Sequence, residues 1–258
     1  IESLVQRDRV IIITGLAVVA GLSWVYMFYL ASNMSMPADA GMTSPKMGGW
    51  TPADFGLMFL MWAVMMVAMM IPSAMPMILL FASVNRKRKE WQGPYVPTAV
   101  FVSGYLLVWT AFSLAASVAQ WGFQAASLLS PMMATTSVLV GGGILVVAGL
   151  YQWSSLKQAC LKECRTPLSF LMTEWREGHG GAVKMGVRHG VFCVGCCWAL
   201  MAILFAVGVM NLLWLGVITA FVLVEKAFPG RSAGLWISRI SGVALVAWGV
   251  WTASGAVA

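Results

Sequence analysis

Seven runs of apolar residues alternate with short polar connections along this chain. Most runs are long enough to cross a bilayer, because about 20 helical residues span about 30 Å of hydrocarbon. The predicted spans are residues 10–30, 55–81, 98–119, 137–156, 187–207, 212–224 and 235–254. The pattern therefore predicts an all-α, polytopic transmembrane bundle of about seven helices, with residues 1–258 forming a single domain.

Basic residues are distributed unequally between the connections. If the N-terminus is cytoplasmic, fifteen of the sixteen Lys and Arg residues lie on the cytoplasmic side, and Lys46 alone lies on the other. Cytoplasmic loops of bacterial membrane proteins are enriched in Lys and Arg. We therefore expect a multi-pass protein of the bacterial inner membrane, with a cytoplasmic N-terminus and an outer C-terminus. The first run is expected to be a membrane helix and not a cleaved signal peptide.

The composition agrees with a lipid environment. Of the 258 residues, 60% are hydrophobic and 10% are charged, and the mean hydropathy is +0.84. The net charge of +7 does not indicate nucleic acid, because the basic residues lie in the connections that set membrane topology. The chain contains no Ser-His-Asp arrangement, Walker loop, HExxH motif or dinucleotide fingerprint. A binding or transport function is therefore favoured over an enzyme.

The second span is rich in methionine. With residues placed about 100° apart, six methionines lie along or beside one stripe of the helix. We call this set the methionine stripe: Met58, Met61, Met65, Met66, Met69 and Met70. Thioether sulfur is a soft ligand that suits Cu(I). Because methionine also fills irregular apolar cores, packing is the alternative interpretation.

The predicted outer loop, about residues 33–53, brings more methionine to the start of this helix. Its methionines are Met34, Met36, Met42 and Met47. They lie among Pro, Gly, Ser and Thr, a composition that cannot form a packed core. The loop resembles the collection sites of copper-handling proteins, and an amphipathic loop at the membrane surface is the alternative. Thr51, Pro52 and Asp54 then predict a capped start for the second helix.

Two cysteines lie in the predicted cytoplasmic connection, about residues 157–186, which also contains a predicted interfacial helix. Cys160 and Cys164 are one helical turn apart, so both thiols can face one partner. Basic neighbours such as Lys157 and Arg165 are expected to favour the thiolate. Cytoplasmic thiols stay reduced, so the pair predicts a metal or redox function and not a structural disulfide.

The fifth span carries the other three cysteines. His189, Cys193, Cys196 and Cys197 share one face at helical spacing. A single cysteine is usually a small buried side chain, but imidazole and thiolate together form a ligand set for Cu(I) or Zn(II). The four donors therefore predict a metal site. Cu(I) is the metal that the soft donors indicate, and zinc is the alternative.

Three of these stretches together resemble a known family. They are MWAVMMVAMMIPS at residues 61–73, the stretch 151–167 with its two cysteines, and CVGCCW at residues 193–198. In this order, over roughly residues 50–224, they are similar to a bacterial family of integral membrane proteins catalogued as predicted metal-binding and otherwise of unknown function. The resemblance implies a polytopic helical protein that binds metal, with no established substrate or ligand set.

Three functions remain as hypotheses. The first is a membrane-embedded protein that handles or translocates Cu(I) and exchanges it with a soluble metal chaperone. The second is an accessory or structural subunit of a larger membrane metalloenzyme, such as a copper oxidase or oxygenase. The third is a thiol redox protein that uses Cys196 and Cys197 with Cys160 or Cys164. The first requires the sulfur-containing side chains of separate spans to converge inside the bundle.

Overall fold

A computed structural model describes residues 2–34, 51–90, 96–130, 133–227 and 231–255. These residues form nine helices and no strand. The helices are α1 (Glu2–Met34), α2 (Pro52–Glu90), α3 (Thr98–Ala125), α4 (Val138–Gln152), α5 (Ser155–Arg165), α6 (Pro167–Glu174), α7 (Gly178–Val207), α8 (Leu212–Ala227) and α9 (Arg231–Ala253). The predicted all-α bundle is confirmed.

The predicted spans all coincide with helices, but the helices differ in length. α1, α2, α3, α7 and α9 are long and apolar enough to cross a membrane. α4 reaches that length only together with α5, from which it is bent by 65°. α8, the sixth predicted span, has 16 residues, which is short for a bilayer that takes about 20. The described helices therefore supply five candidate spans, or six with the bent pair, where the sequence predicts about seven.

The two ends of the bundle differ in charge. Arg86, Lys87 and Arg88 lie at the end of α2, and Lys184 and Arg188 lie near the beginning of α7. At the opposite end, α2 begins with an acidic residue in its first turn, and α7 ends without a basic one. We call these the basic end and the far end. α2 runs from the far end to the basic end, and α7 runs in the opposite direction.

A capping box begins α2. The Thr51 N–H donates to Asp54 Oδ2 over 2.9 Å, and the Thr51 hydroxyl donates to the same oxygen over 2.7 Å. The Asp54 N–H donates back to Thr51 Oγ1 over 3.3 Å. Such reciprocal bonds satisfy amides that a helix leaves unpaired at its N-terminus. The predicted cap is confirmed, and the helix then continues through Pro72 and Pro76, so one helix carries the whole methionine stripe.

Two glycines bring α3 and α7 into close contact. A Cβ on Gly104 of α3 would collide with the carbonyl oxygen of Val183, and a Cβ on Gly186 of α7 would collide with that of Phe101. Small residues allow helix backbones to approach this closely. The approach places Tyr105 of α3 within reach of Cys193 of α7.

Glycines also join α4 to α9. A Cβ on Gly142 would lie 2.6 Å from the carbonyl oxygen of Gly249, and a Cβ on Gly149 would lie 2.8 Å from that of Gly242. α4 is therefore held along α9. After the 65° bend, α5 leaves this pair and packs against α7. The bend is what brings the cysteines of α5 to the cysteines of α7.

The core lies around α2 and α7. In each of these helices 56% of the most apolar 18-residue stretch is buried, against 17% in α1 and 22% in α9. α2 packs against α1 and α3 and also contacts α6 and α8. α6 occupies the place of the predicted interfacial helix, but it buries Phe170 and Leu171 in the core. α2 and α7, two of the helices predicted to carry ligands, are thus the most enclosed of the five long candidate spans.

Candidate metal centre

The predicted donors of α7 lie together in the interior. His189, Cys193, Cys196 and Cys197 are all buried. The Cys193 carbonyl oxygen accepts hydrogen bonds from the Cys196 thiol over 3.1 Å and from the Cys197 thiol over 2.9 Å. Both thiols therefore lie against the helical turn that carries Cys193. The structure brings these side chains together as their spacing predicts.

α5 adds the remaining two cysteines to the same place. Cys164 Sγ lies 4.0 Å from Cys196 Sγ. Cys160 packs against α7 where Gly195 leaves room, since a Cβ on that glycine would lie 2.7 Å from Cys160 Sγ. All five cysteines are free thiols. We call this set the thiol cluster: Cys160, Cys164, Cys193, Cys196 and Cys197.

A lysine from α8 reaches the thiol cluster. Lys226 Nζ donates to Cys193 Sγ over 3.0 Å and to Ser73 Oγ of α2 over 3.0 Å. An ammonium group beside a sulfur atom stabilises the thiolate, which is the form that binds metal. The same two bonds join α2, α7 and α8 at the level of Cys193. Hydropathy alone places Lys226 at the edge of a span and assigns it no chemistry.

A tyrosine from α3 completes this contact. The Tyr105 hydroxyl lies 3.2 Å from Cys193 Sγ and donates to the carbonyl oxygen of Met70 over 3.2 Å. Tyr105 thus bridges the thiol cluster to the last methionine of the stripe. Side chains of α3 and α8 thus contact one sulfur atom of α7, and the same two side chains are bonded to α2. Tyr105 lies within an apolar run, and the periodicity of that run does not distinguish it from a packing residue.

The basic residues of α5 do not have the predicted role. Lys157 Nζ donates to Glu225 Oε2 over 2.8 Å, with both side chains almost fully buried. Arg165 donates to the Glu225 carbonyl oxygen through Nε at 2.8 Å and through Nη2 at 2.6 Å. Buried charges require partners, so Glu225 binds both of these cations. The expectation that Lys157 stabilises a thiolate of α5 is wrong, and among the described residues the cation bonded to a thiol is Lys226.

The methionine stripe faces the interior for most of its length. Its members Met61, Met65, Met66, Met69 and Met70 are buried, and Met58 is half-buried. α2 is surrounded by α1, α3 and α8, so these thioethers lie among helices. The stripe meets the thiol cluster at its basic end through the Tyr105 and Lys226 bonds. The contacts at that junction are made by the backbone carbonyl of Met70 and by the Ser73 hydroxyl, so convergence of the sulfur atoms themselves stays a prediction.

The methionines of the predicted outer loop have a different status. Met34 is the last residue of α1, and its side chain lies outside the described residues. Met36, Met42 and Met47 also lie outside them. Their role in collecting copper stays a prediction.

One further methionine was not identified from the sequence. Met201 of α7 is fully buried and lies one turn beyond Cys197, on the same face. The next turn brings Phe205, whose ring lies 5.2 Å from that of Trp62 on α2. The i, i+4 spacing of Met201 from Cys197 is the sequence signal that could have identified it. Met201 therefore places sulfur between the thiol cluster and the far part of α2.

His189 is held among aromatic rings. Its ring stacks on Tyr105 at 5.7 Å and meets the edge of Phe170 at 5.6 Å. His189 Nδ1 is buried and has no hydrogen-bond partner among the described residues. A buried nitrogen without a partner is energetically unfavourable. It therefore stands out as a candidate ligand one turn from Cys193.

The donors are close together but do not form a finished coordination shell. In the part of the chain that the structure describes, no three His, Cys, Asp or Glu side chains are arranged around one metal position. Lys226 lies against the sulfur of Cys193 instead. The cluster is therefore a set of soft donors with a compensating cation, an arrangement different from the closed tetrahedral shell of a structural zinc site.

These features define a class of protein, a helical bundle with buried free thiols and thioethers on helices able to cross a membrane. The model of the PpoB2 family, described as copper chaperone, matches residues 59–252, and the chain belongs to this family. The matched range contains the thiol cluster and all of the methionine stripe except Met58. No curated protein and no solved structure is significantly similar to the chain. Family membership associates the protein with copper handling, in agreement with the metal-related family that the sequence resembles.

Proposed function

We propose that this chain is an integral membrane protein that binds Cu(I) as cargo at the thiol cluster and passes it to a partner. In this proposal the basic end is cytoplasmic, as the distribution of Lys and Arg predicts. The observation that carries the proposal is the 4.0 Å separation of Cys164 Sγ and Cys196 Sγ, contributed by two different helices. A metal about 2.3 Å from each sulfur fits between two atoms so placed.

Cys193 is the third ligand in this proposal. Its sulfur is bonded to Lys226, and its carbonyl oxygen accepts from the thiols of Cys196 and Cys197. Soft thiolates select Cu(I) over hard cations. His189 is within one turn of Cys193 and supplies a neutral nitrogen when the ion needs another donor.

Lys226 balances the charge of the loaded site. Cu(I) bound by two thiolates carries a net negative charge, which a third thiolate increases, and burying an uncompensated charge is costly. The Lys226 ammonium is already 3.0 Å from Cys193 Sγ, so compensation requires no large rearrangement. In this proposal the lysine is a positioning and charge-balancing residue and not a ligand.

The methionine stripe supplies the route by which copper reaches the thiol cluster. Its thioethers are neutral, buried and continuous along α2 as far as Met70, whose carbonyl oxygen is bonded to Tyr105. Met201 offers sulfur on the α7 side. Weak neutral donors followed by strong anionic ones give copper a favourable direction of movement toward the cluster.

The test is copper binding by the whole protein, purified without oxygen in the presence of a reductant. We expect bound copper by elemental analysis, and a competition titration with a colour-forming Cu(I) chelator gives its affinity. Replacing Cys164 and Cys196 together by serine should abolish binding at the thiol cluster. The control is Met172→Leu, a substitution at an exposed position of α6. Protein that takes up no Cu(I) under these conditions contradicts the proposal.

Cys160 offers a graded comparison on the same helix. It packs against Gly195, whereas Cys164 lies next to Cys196. We therefore expect Cys160→Ser to weaken Cu(I) binding less than Cys164→Ser. Equal losses would indicate that both α5 thiols bind the ion.

A thiol redox function is the second candidate, favoured by the same 4.0 Å separation. A disulfide has an S–S length of about 2.05 Å, so Cys164 and Cys196 need only a small movement to form one. Titration of free thiols after mild oxidation and after reduction distinguishes the two functions. A thiol count that stays constant excludes the redox function, while Cu(I) binding by the reduced protein supports the first.

The accessory-subunit hypothesis concerns the partner. Purification from the native membrane under mild detergent conditions separates a free copper carrier from a subunit of a metalloenzyme. A metalloenzyme polypeptide at fixed stoichiometry supports the subunit hypothesis. A protein that purifies alone and transfers Cu(I) to a soluble acceptor supports the carrier.

A further inference from the structure

The loop between α3 and α4 holds a methionine in an unusual conformation at the far end of the bundle. Met133 has φ 56°, in the left-handed region that few non-glycine residues adopt. Its N–H donates to the Ser130 carbonyl oxygen over 2.8 Å, and the Thr135 N–H donates to the Phe205 carbonyl oxygen over 2.8 Å. The loop is therefore attached to the end of α7, and the Met133 side chain is 6% exposed.

The sulfur of Met133 is oriented by a buried amide. Gln120 Nε2 donates to Met133 Sδ over 2.9 Å, and Gln120 Oε1 accepts from Trp62 Nε1 over 2.5 Å. Thioether sulfur is a weak acceptor, so an oxygen atom would satisfy the amide better. The use of sulfur at this position therefore needs a reason other than hydrogen bonding.

Further methionines lie one helical turn from Trp62 along α2. On α2, Met58 lies one turn before Trp62, and Met65 and Met66 lie one turn after it on the same face. Met65 and Met66 are fully buried. One amide group separates Trp62 from Met133. A single hydrogen-bonded chain, Met133–Gln120–Trp62, thus links the α3–α4 loop methionine to the turn of α2 that precedes Met65 and Met66.

Aromatic rings enclose this region. The ring of Trp62 lies 5.2 Å from that of Phe205, and Phe205 meets the edge of Phe123 at 5.4 Å. These rings are apolar, so a hard, strongly hydrated cation is disfavoured beside them. A soft monovalent ion bound by neutral sulfur loses less on leaving water.

We propose that Met133, together with Met65 and Met66, forms a second Cu(I) site at the far end of the bundle. This all-thioether site is distinct from the thiol cluster. The inference rests on the proposed function, for which it supplies the point where copper enters the methionine stripe. Gln120 is a positioning residue, because its N–H occupies one lone pair of Met133 Sδ and leaves the other for the ion.

The experiment uses the full chain in lipid nanodiscs, with all five cysteines replaced by serine. Cu(I) is titrated without oxygen against a colour-forming chelator. We expect one Cu(I) to remain bound, and we expect Met133→Leu to weaken it at least tenfold. The matched control is Met185→Leu, a buried methionine near the basic end. Methionine and leucine have similar volume, so both substitutions should leave the fold intact.

A structural role for Met133 is separated from a ligand role by Met133→Gln. Glutamine retains an acceptor for the Gln120 amide but provides no sulfur. If the residue only satisfies that amide, Met133→Gln binds Cu(I) as the cysteine-free parent does, and the inference is overturned. If it is a ligand, binding falls as far as with Met133→Leu while the melting temperature stays closer to that of the parent.

A spectroscopic measurement detects the ligands of the bound copper directly. In cysteine-free protein labelled with selenomethionine, X-ray absorption at the copper edge should show selenium neighbours, fewer of them in Met133→Leu. Absence of selenium neighbours overturns the inference. Cu(I) that binds native protein but not the cysteine-free chain leaves the thiol-cluster proposal standing and removes this site. Met133-dependent binding in the cysteine-free chain supports this site whatever the cysteines do.

Discussion

Two regions of this bundle hold sulfur in different surroundings. In the thiol cluster, Cys193 is bonded to Lys226 and lies beside the Tyr105 hydroxyl. Along the methionine stripe, five of the six side chains are buried in an apolar core. A thiolate carries a charge and can be buried only with a compensating partner, whereas a thioether is neutral and needs none. Under the proposed function, we therefore expect the cluster to retain Cu(I) and the stripe to exchange it more easily.

The two regions also differ in how they are held in place. The segment that carries Cys164 is fastened through its neighbour Arg165 and through Lys157 to Glu225 of α8. The stripe lies on one continuous helix, and its buried thioether side chains are held by apolar packing. The geometry of the cluster is therefore sensitive to single polar substitutions, and that of the stripe is not.

The largest expected effect comes from Lys157→Met. It leaves the Glu225 carboxylate buried without its cation, which costs about 3–5 kcal/mol of unfolding free energy. Thermal unfolding in detergent micelles, followed by circular dichroism, should show a clear fall in Tm. Lys184→Met, at an exposed position of α7, should leave Tm unchanged. The double variant Lys157→Met with Glu225→Leu should regain part of the loss, and an additive further loss would contradict the buried ion pair.

A smaller effect is expected from Lys226→Met. Without the ammonium, the Cu(I)-bound thiolates keep an uncompensated charge, so we expect Cu(I) affinity to fall about tenfold, equivalent to about 1.4 kcal/mol. The same chelator competition measures it. Lys226→Arg retains the charge and should recover most of the affinity. An affinity that rises in Lys226→Met would mean that the lysine competes with copper for Cys193.

The smallest equilibrium effect is expected for Met65→Leu combined with Met69→Leu. Each replacement conserves volume and usually costs less than about 1.5 kcal/mol of stability. Equilibrium Cu(I) affinity of the thiol cluster should not change, because neither residue belongs to it. Stopped-flow loading of the cluster should be slower, since the route loses two donors. A loss of affinity as large as that of Lys226→Met would show that the stripe and the cluster are one site.

The helices, and the face of α7 that its donor residues share, could be predicted from the sequence. Apolar runs predict helices because a bilayer requires all backbone groups to be bonded within the segment. Helical spacing placed His189, Cys193, Cys196 and Cys197 on one side for the same local reason. The cap at Thr51 and Asp54 was also predictable, since its bonds join residues three apart.

The hydrogen-bond partners of these residues could not be predicted from the sequence. Tyr105 and Lys226 reach Cys193 from elements distant in the sequence, and nothing in the periodicity of α3 or α8 indicates this. The predicted role of Lys157 was wrong because this lysine, although close to Cys160 in sequence, is bonded to the Glu225 carboxylate in the folded chain. Long side chains are oriented by the nearest opposite charge, which only packing determines.

The sequence by itself determined the helices, the order of the soft donors along them and the face of α7 on which four of them lie, because these depend on interactions within a few residues. Tertiary structure decided that α5 bends by 65° toward α7, that Cys164 approaches Cys196, and that Lys226 is the cation beside the thiols. These contacts depend on glycines that let backbones approach and on buried charges that pair, and both are properties of the packed bundle.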